Sequence, residues 1–259
     1  MDHDGWMPVP TRGPALSVGG CTCGEAPSLQ GWPAVRVESL TVRAADPERA
    51  ASFWGDLLGW ARSGASLESD GTVPYDLSFV ASDEPVLLPN QVHLHLTSNT
   101  TTQEETVARA LALGALHLDV GQRPDEDHVV LADPEGNAFC VTEEGNRWLA
   151  GTAFLGELAA DGTREVGVFW AAALDWPLVW DEDGETAIAP PQGGHKIAWG
   201  GPPLDERRGP NRTYLCLVAD DLDTEVDRLA GLGATVVRRL GGRVEMADPD
   251  GNELWVRGG

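Results

Sequence analysis

Ala132-Asp133-Pro134-Glu135-Gly136-Asn137-Ala138-Phe139-Cys140-Val141 returns near the end of the chain as Ala247-Asp248-Pro249-Asp250-Gly251-Asn252-Glu253-Leu254-Trp255-Val256. From Asp133 to Asp248 the spacing is 115 residues. Repetition at that distance marks two similar units fused in one chain, which sets the organisation before any chemistry is read. Within each copy, Asp-Pro-acid-Gly-Asn is tight-turn chemistry: proline presets one backbone angle and glycine accepts a positive one. The alternating apolar residues that follow read as a strand.

The chain of 259 residues suits two domains of about 110 residues each plus an extension. We place the extension at 1–33 and the two domains at 34–148 and 149–259. The 41 acidic residues outnumber the 18 basic ones, for a net charge of −23. Such a surface repels phosphate backbones and anionic lipid, so neither nucleic acid nor a membrane is expected as a partner. No run approaches the roughly 18 apolar residues of a membrane span. Met1-Asp2-His3-Asp4-Gly5 lacks the basic start and apolar stretch of a secretory signal, so a cytoplasmic location is expected. Residues 1–33 carry Pro8, Pro10, Pro14, Pro27 and Pro33 among many glycines, with no apolar period. They read as a loose extension. Cys21 and Cys23 within it read as free thiols, the competing reading being half of a soft-metal site or a redox pair.

Between the turns the same order of elements recurs. Val35–Val42 alternates as a strand. Asp46-Pro47-Glu48 opens a helix, with Asp46 as cap, Pro47 in the first turn and Gly59 as terminator. Short strands are expected around Leu77–Val80 and Val86–Leu88. Val92-His93-Leu94-His95-Leu96 starts a second unit as a strand, followed by a helix over about Gln103–Leu113. Further strands are expected near Ala115–Val120, His128–Leu131 and Phe139–Thr142. The second half repeats the pattern: Phe169-Trp170 matches Phe53-Trp54, Tyr214-Leu215-Cys216-Leu217 matches His93-Leu94-His95-Leu96, and Leu232-Gly233-Ala234 matches Leu113-Gly114-Ala115.

Asp46–Trp60, the His-bearing strand, Leu-Gly-Ala and Asp-Pro-Glu-Gly-Asn together resemble the vicinal oxygen chelate superfamily, in particular tandem glyoxalase/bleomycin-resistance-like domains of the actinobacterial type. The resemblance implies an α+β fold of four βαβββ modules, with mixed sheets curling around cavities. It also implies a divalent metal held by two His and one Glu from the first and last strands of paired modules. Carried over residue by residue, those positions fall on Ser39, His93 and Cys140 in the first half, and on Phe154, Tyr214 and Trp255 in the second. Five of these six have lost the usual ligand type. No cofactor is therefore expected, with a divalent metal at His93, His95 and Cys140 as the fallback.

His93 and His95 point to one face of their strand, because residues two apart share a side. They are the candidate catalytic residues, either as acid and base or with a metal. The ten tryptophans are the second signal. Trp54 and Trp170, on helices, read as core. Trp60, Trp176 and Trp199, with Phe154, Tyr214 and Trp255, are candidates to line an aromatic pocket beside Ser39, His93 and Cys140. His117 and His128 read as surface or strand-edge residues, and His195 as a residue near a cavity mouth. Asp181-Glu182-Asp183 reads as a solvated hairpin tip.

Three readings follow. The first is a metal-free protein that binds a small aromatic or cationic molecule. The second is an enzyme of lyase, isomerase or dioxygenase type acting through His93 and His95, with or without metal. The third is a structural or interaction protein whose cavities are filled. Four modules in one chain can satisfy the family's pairing internally, so a monomer or a homodimer is expected.

Overall fold

The computed structural model describes residues 35–87, 92–123 and 126–259. Cys21 and Cys23 lie outside them. The first module runs β1 (Arg36–Ala44), α1 (Pro47–Leu58), β2 (Ala61–Ser63), β3 (Ser66–Glu68) and β4 (Asp76–Ala81). The second runs β5 (Val92–Leu96), α2 (Gln103–Ala112), β6 (Leu116–His117), β7 (Val129–Ala132) and β8 (Ala138–Val141). The third runs β9 (Leu155–Ala160), α3 (Arg164–Leu174), β10 (Leu178–Glu182), β11 (Glu185–Ile188) and β12 (Lys196–Trp199). The fourth runs β13 (Thr213–Ala219), α4 (Leu222–Leu232), β14 (Thr235–Leu240), β15 (Arg243–Ala247) and β16 (Glu253–Gly258). The α+β class and the βαβββ order agree with the sequence reading. The strand expected at Val86–Leu88 is a correction: Val86 and Leu87 are irregular, and the hairpin β2–β3 supplies the missing strands of that module.

The two sequence repeats do not each build a sheet. One eight-stranded sheet has the order β14-β15-β16-β13-β1-β4-β3-β2, joining the first module to the fourth. The other has the order β10-β11-β12-β9-β5-β8-β7-β6, joining the second to the third. The seams are antiparallel: Leu40 pairs with Leu215 across β1 and β13, and Leu94 with Leu158 across β5 and β9. Alternate strand residues from both sheets, including Leu40, Leu94, Leu158 and Leu215, meet residues of all four helices in one apolar core. The intervening residues face away from that core, among them His93, His95, Cys140 and Glu157 on one sheet and Ser39, Tyr214, Cys216 and Trp255 on the other.

The repeated turn holds this arrangement together. Asp133 Oδ1 accepts from the backbone N–H groups of Glu135 and Asn137, both at 2.9 Å. Its Oδ2 accepts from the Trp54 indole at 3.0 Å. In the second copy Asp248 Oδ1 accepts from the N–H groups of Asp250 and Asn252, and Oδ2 accepts from the Trp170 indole at 3.2 Å. Gly136 and Gly251 stand at φ 81° and 84°, the left-handed region where glycine is strain-free. The acid between them reaches back to a helix of the preceding module. Glu135 accepts from Ala45 and Asp46 N–H at the start of α1, and Asp250 accepts from Thr163 N–H and Oγ1 at the start of α3. A carboxylate there meets unsatisfied N–H groups and the positive helix end. Trp54 and Trp170 are thus core residues with one polar handle each.

Candidate functional site

On the second sheet, pairing places four polar residues side by side. Cys140 of β8 is level with His95 of β5, His95 with Glu157 of β9, and Glu157 with Lys196 of β12. His93 lies two residues before His95, on the same face. Its Nε2 is 2.9 Å from Nε2 of His95. Nδ1 of His95 lies 2.7 Å from Oε2 of Glu157, and the Trp148 indole donates to Oε1 of Glu157 at 2.6 Å. Lys196 Nζ sits 4.0 Å from the Trp148 ring centre and donates to the Trp148 carbonyl. His93, His95, Cys140 and Glu157 are each 6% exposed or less. Trp148, from the segment between the modules, packs edge-to-face with Trp180 over this row. The donor atoms of His93, His95 and Cys140 lie within 4.8 Å of one another.

Burial opposes charge on His95, but Cys140 and Glu157 outweigh it and push the pKa up to about 10. Burial likewise works to raise Glu157, yet contact with His95, the Trp148 hydrogen bond and the Lys196 charge hold it below the usual carboxylate range. The row therefore contains an ion pair, Glu157 carboxylate with His95 imidazolium. Burial and the His95 charge push His128 down to about 4.

The equivalent row on the first sheet has different chemistry. Trp255 of β16 is level with Cys216 of β13, Cys216 with Ser39 of β1, and Ser39 with Asp76 of β4. Tyr214 and Thr41 pair one step along. Thr41 Oγ1 lies 3.2 Å from Cys216 Sγ and 3.5 Å from Ser39 Oγ. Ser39 and Thr41 are buried, whereas Tyr214, Cys216 and Trp255 are half-buried. Burial raises the Cys216 thiol above its ordinary pKa.

Of the expected site residues, the structure brings His93, His95 and Cys140 together on the second sheet. Ser39, Tyr214 and Trp255 share the first, although they come from opposite halves of the sequence. Trp60 and Trp199 lie in the core and Trp176 packs against it; their expected place in a ligand pocket is a correction. Trp199 follows Ile197 on β12 and shares its core-facing side. Trp199 lines a partly open cavity of only about 40 Å³, shared with Trp170 and Tyr214, room for a water or two. Phe154 also packs against the core. The place equivalent to Ser39 belongs to Glu157, because the offset between repeats shifts along this strand. The signal for Glu157 was available: it is an acid inside the apolar run Phe154-Leu155-Gly156-Glu157-Leu158-Ala159-Ala160.

His128 and His195 are further corrections, being 5% and 1% exposed. His195 is held between Tyr75, whose hydroxyl donates to Nε2 at 2.6 Å, and the Leu155 carbonyl, which accepts from Nδ1 at 2.9 Å. His117 is exposed on β6, and Asp181-Glu182-Asp183 is an exposed hairpin tip, both as expected. Burial pushes His195 down from 6.5 to about 4. The unfolded chain takes up this proton before the folded one does, so stability is complete above about pH 6.5 and is lost as pH falls towards 4. The urea midpoint is expected to fall over that range, and less steeply in His195→Gln. Equal slopes for both proteins would contradict this account.

Comparison with known proteins agrees with this geometry. The family model described as "Glyoxalase-like domain" matches residues 39–142 and again 157–257. The two matches begin at Ser39 and Glu157, in keeping with their equivalence in the sheets. Comparison with curated protein sequences gives no match. Among solved structures the chain is similar to glyoxalase I from Zea mays, at TM-score 0.60 and 14% identity, over 87% of this chain and 93% of that one. It is also similar to a putative dioxygenase from Bacillus subtilis subsp. subtilis str. 168, at TM-score 0.54 and 15% identity, over 86% and 84% of the two chains. With both halves matched and all four modules in place, the chain belongs to the glyoxalase-like domain family, as a tandem member of the vicinal oxygen chelate superfamily.

Proposed function

We propose that this protein binds a small organic molecule on the outward face of its first sheet, without a metal ion at that face. The observation that carries the reading is the meeting of Ser39, Thr41, Tyr214, Cys216 and Trp255 there. Half-buried aromatic rings beside small hydroxyl groups suit an organic ligand, which gains buried area from the rings and orientation from the polar groups. The same residues suit a metal poorly. Three hydroxyls and a thiol kept protonated by burial are weak donors. The test is a fluorescence titration with planar aromatic compounds, followed by the same titration on Trp255→Ala and Tyr214→Ala. Saturable quenching that both variants weaken supports the reading. Silence across the panel overturns it.

A second reading is favoured by the convergence of His93, His95 and Cys140. Two imidazoles and a thiolate fit a borderline ion such as zinc better than calcium or magnesium. Such an ion would supply Lewis acidity. The chain's own contribution would be orientation: Glu157 fixes the outer nitrogen of His95, and Trp148 fixes Glu157. Metal analysis of protein purified without chelators separates the two readings. A stoichiometric transition metal that disappears in His93→Ala would place a metal centre on the second sheet.

A further inference from the structure

Arginines border the aromatic row on the first sheet's outward face. Arg43 lies over the Tyr214 ring at 5.5 Å. Arg238 and Arg243 lie over Trp255 at 5.6 and 4.6 Å. Most of these charges are answered locally: Arg43 pairs with Glu84, Arg238 with Glu245, and nearby Arg257 with Glu38. Arg243 is different. Among the described residues no carboxylate pairs with it, and its guanidinium rests on Trp255 instead of turning away into solvent. From there its charge acts on both the Tyr214 hydroxyl and the Cys216 thiol. The Tyr214 hydroxyl likewise has no hydrogen-bond partner among the described residues. In a chain with net charge −23, a cation left unanswered over an aromatic row, beside a free phenol donor, calls for an explanation.

We propose that the ligand of this face is a small organic monoanion, a carboxylate on a flat apolar body. This rests on the reading that a ligand seats there at all. The Arg243 guanidinium presents paired N–H donors, the geometry that a carboxylate accepts in two parallel hydrogen bonds. The Tyr214 hydroxyl supplies one more donor, and Trp255 and Tyr214 supply surface for the apolar part. One unpaired guanidinium matches one negative charge. A dianion would meet the acidic surroundings with a charge left over. A cationic ligand would be repelled by the unpaired Arg243, whereas Arg43 and Arg238 are already neutralised by Glu84 and Glu245.

The experiment is calorimetric titration of the full chain at low salt with benzoate and 1-naphthoate, and with benzamide and 1-naphthamide as neutral counterparts. The carboxylates are expected to bind at least about tenfold more tightly than the amides, and added salt should narrow the gap. Arg243→Gln is expected to lower carboxylate affinity about tenfold and leave the amides unchanged. Tyr214→Phe should cost the carboxylates a few-fold. Arg243 is exposed on its strand, and an unchanged urea midpoint in the variant verifies its fold. Equal affinity for acid and amide, or an unchanged carboxylate affinity in Arg243→Gln, would overturn the inference. If acids and amides bind equally and Trp255→Ala abolishes both, this inference fails while the small-molecule reading stands. If no compound binds, both fail.

Discussion

Replacing Glu157 with alanine is expected to cost about 3–5 kcal/mol of stability in the metal-free protein, the usual penalty for stripping one partner from a buried ion pair. The penalty exceeds the worth of the contact itself. Before substitution, Glu157 answers the His95 imidazolium at 2.7 Å and accepts from the Trp148 indole at 2.6 Å. Afterwards the His95 Nδ1 and the Trp148 indole N–H are both buried without the carboxylate that faced them. Glu157→Gln is the informative companion. Its amide oxygen still accepts one hydrogen bond, so it should cost less than alanine and separate charge from hydrogen bonding. The pair also sets a pH window. His95 is raised, so its contribution is complete below about pH 6.5 and is lost as pH rises towards 10. Glu157 is lowered, so its contribution is complete above about pH 4.5 and is lost at more acid pH. Urea denaturation at pH 7 checks the main claim, and a loss below about 1 kcal/mol for Glu157→Ala would refute it.

The second large effect is expected in the repeated turn. Asp133→Ala leaves four donors without their acceptor: the Trp54 indole, the Glu135 and Asn137 backbone N–H groups, and the Asn137 amide. At roughly 1–3 kcal/mol for each buried orphan, partly relieved by local relaxation, a loss of about 4 kcal/mol follows. Asp248→Ala should behave alike, because it strands the Trp170 indole and the corresponding groups. Equilibrium unfolding of both variants, with Asp133→Asn as the isosteric control, measures this. Neither substitution touches the outward face of a sheet, so ligand binding by the surviving folded protein should be unchanged. A mild effect on stability with a large effect on binding would reverse the assignment of this turn from architecture to function.

Much of the fold was legible in the chain, and for local reasons. The Asp46 cap with Pro47 and the Gly59 stop delimit α1 as read. The second helix begins at Gln103 as expected, behind a Thr102–Glu105 capping box. The repeated turn marks the last strand of each half, because proline, glycine and aspartate impose their geometry without help from distant residues. The site was less legible, because it depends on partners far apart in sequence. His93 and His95 follow from strand periodicity, but Glu157 joins them only through the pairing of β5 with β9. Ser39 meets Cys216 only through that of β1 with β13. Aligning the halves end to end put Phe154 where Glu157 belongs, since strand register does not keep a constant offset between repeats. The tryptophan-lined pocket misled for a different reason. A tryptophan at a strand end faces either side, and Trp60 and Trp199 face the core.

The crossed pairing of modules means that neither repeat is a self-sufficient piece of protein. A fragment cut after residue 148 would carry β1 and β5 with their seam edges bare, and so would the complementary fragment through β9 and β13. Each half is the template that completes the other. Each repeat contributes one module to each sheet, so both outward faces are built from both halves of the sequence. The two faces differ accordingly: one holds the buried His95–Glu157 pair, and the other is an aromatic, arginine-bordered surface.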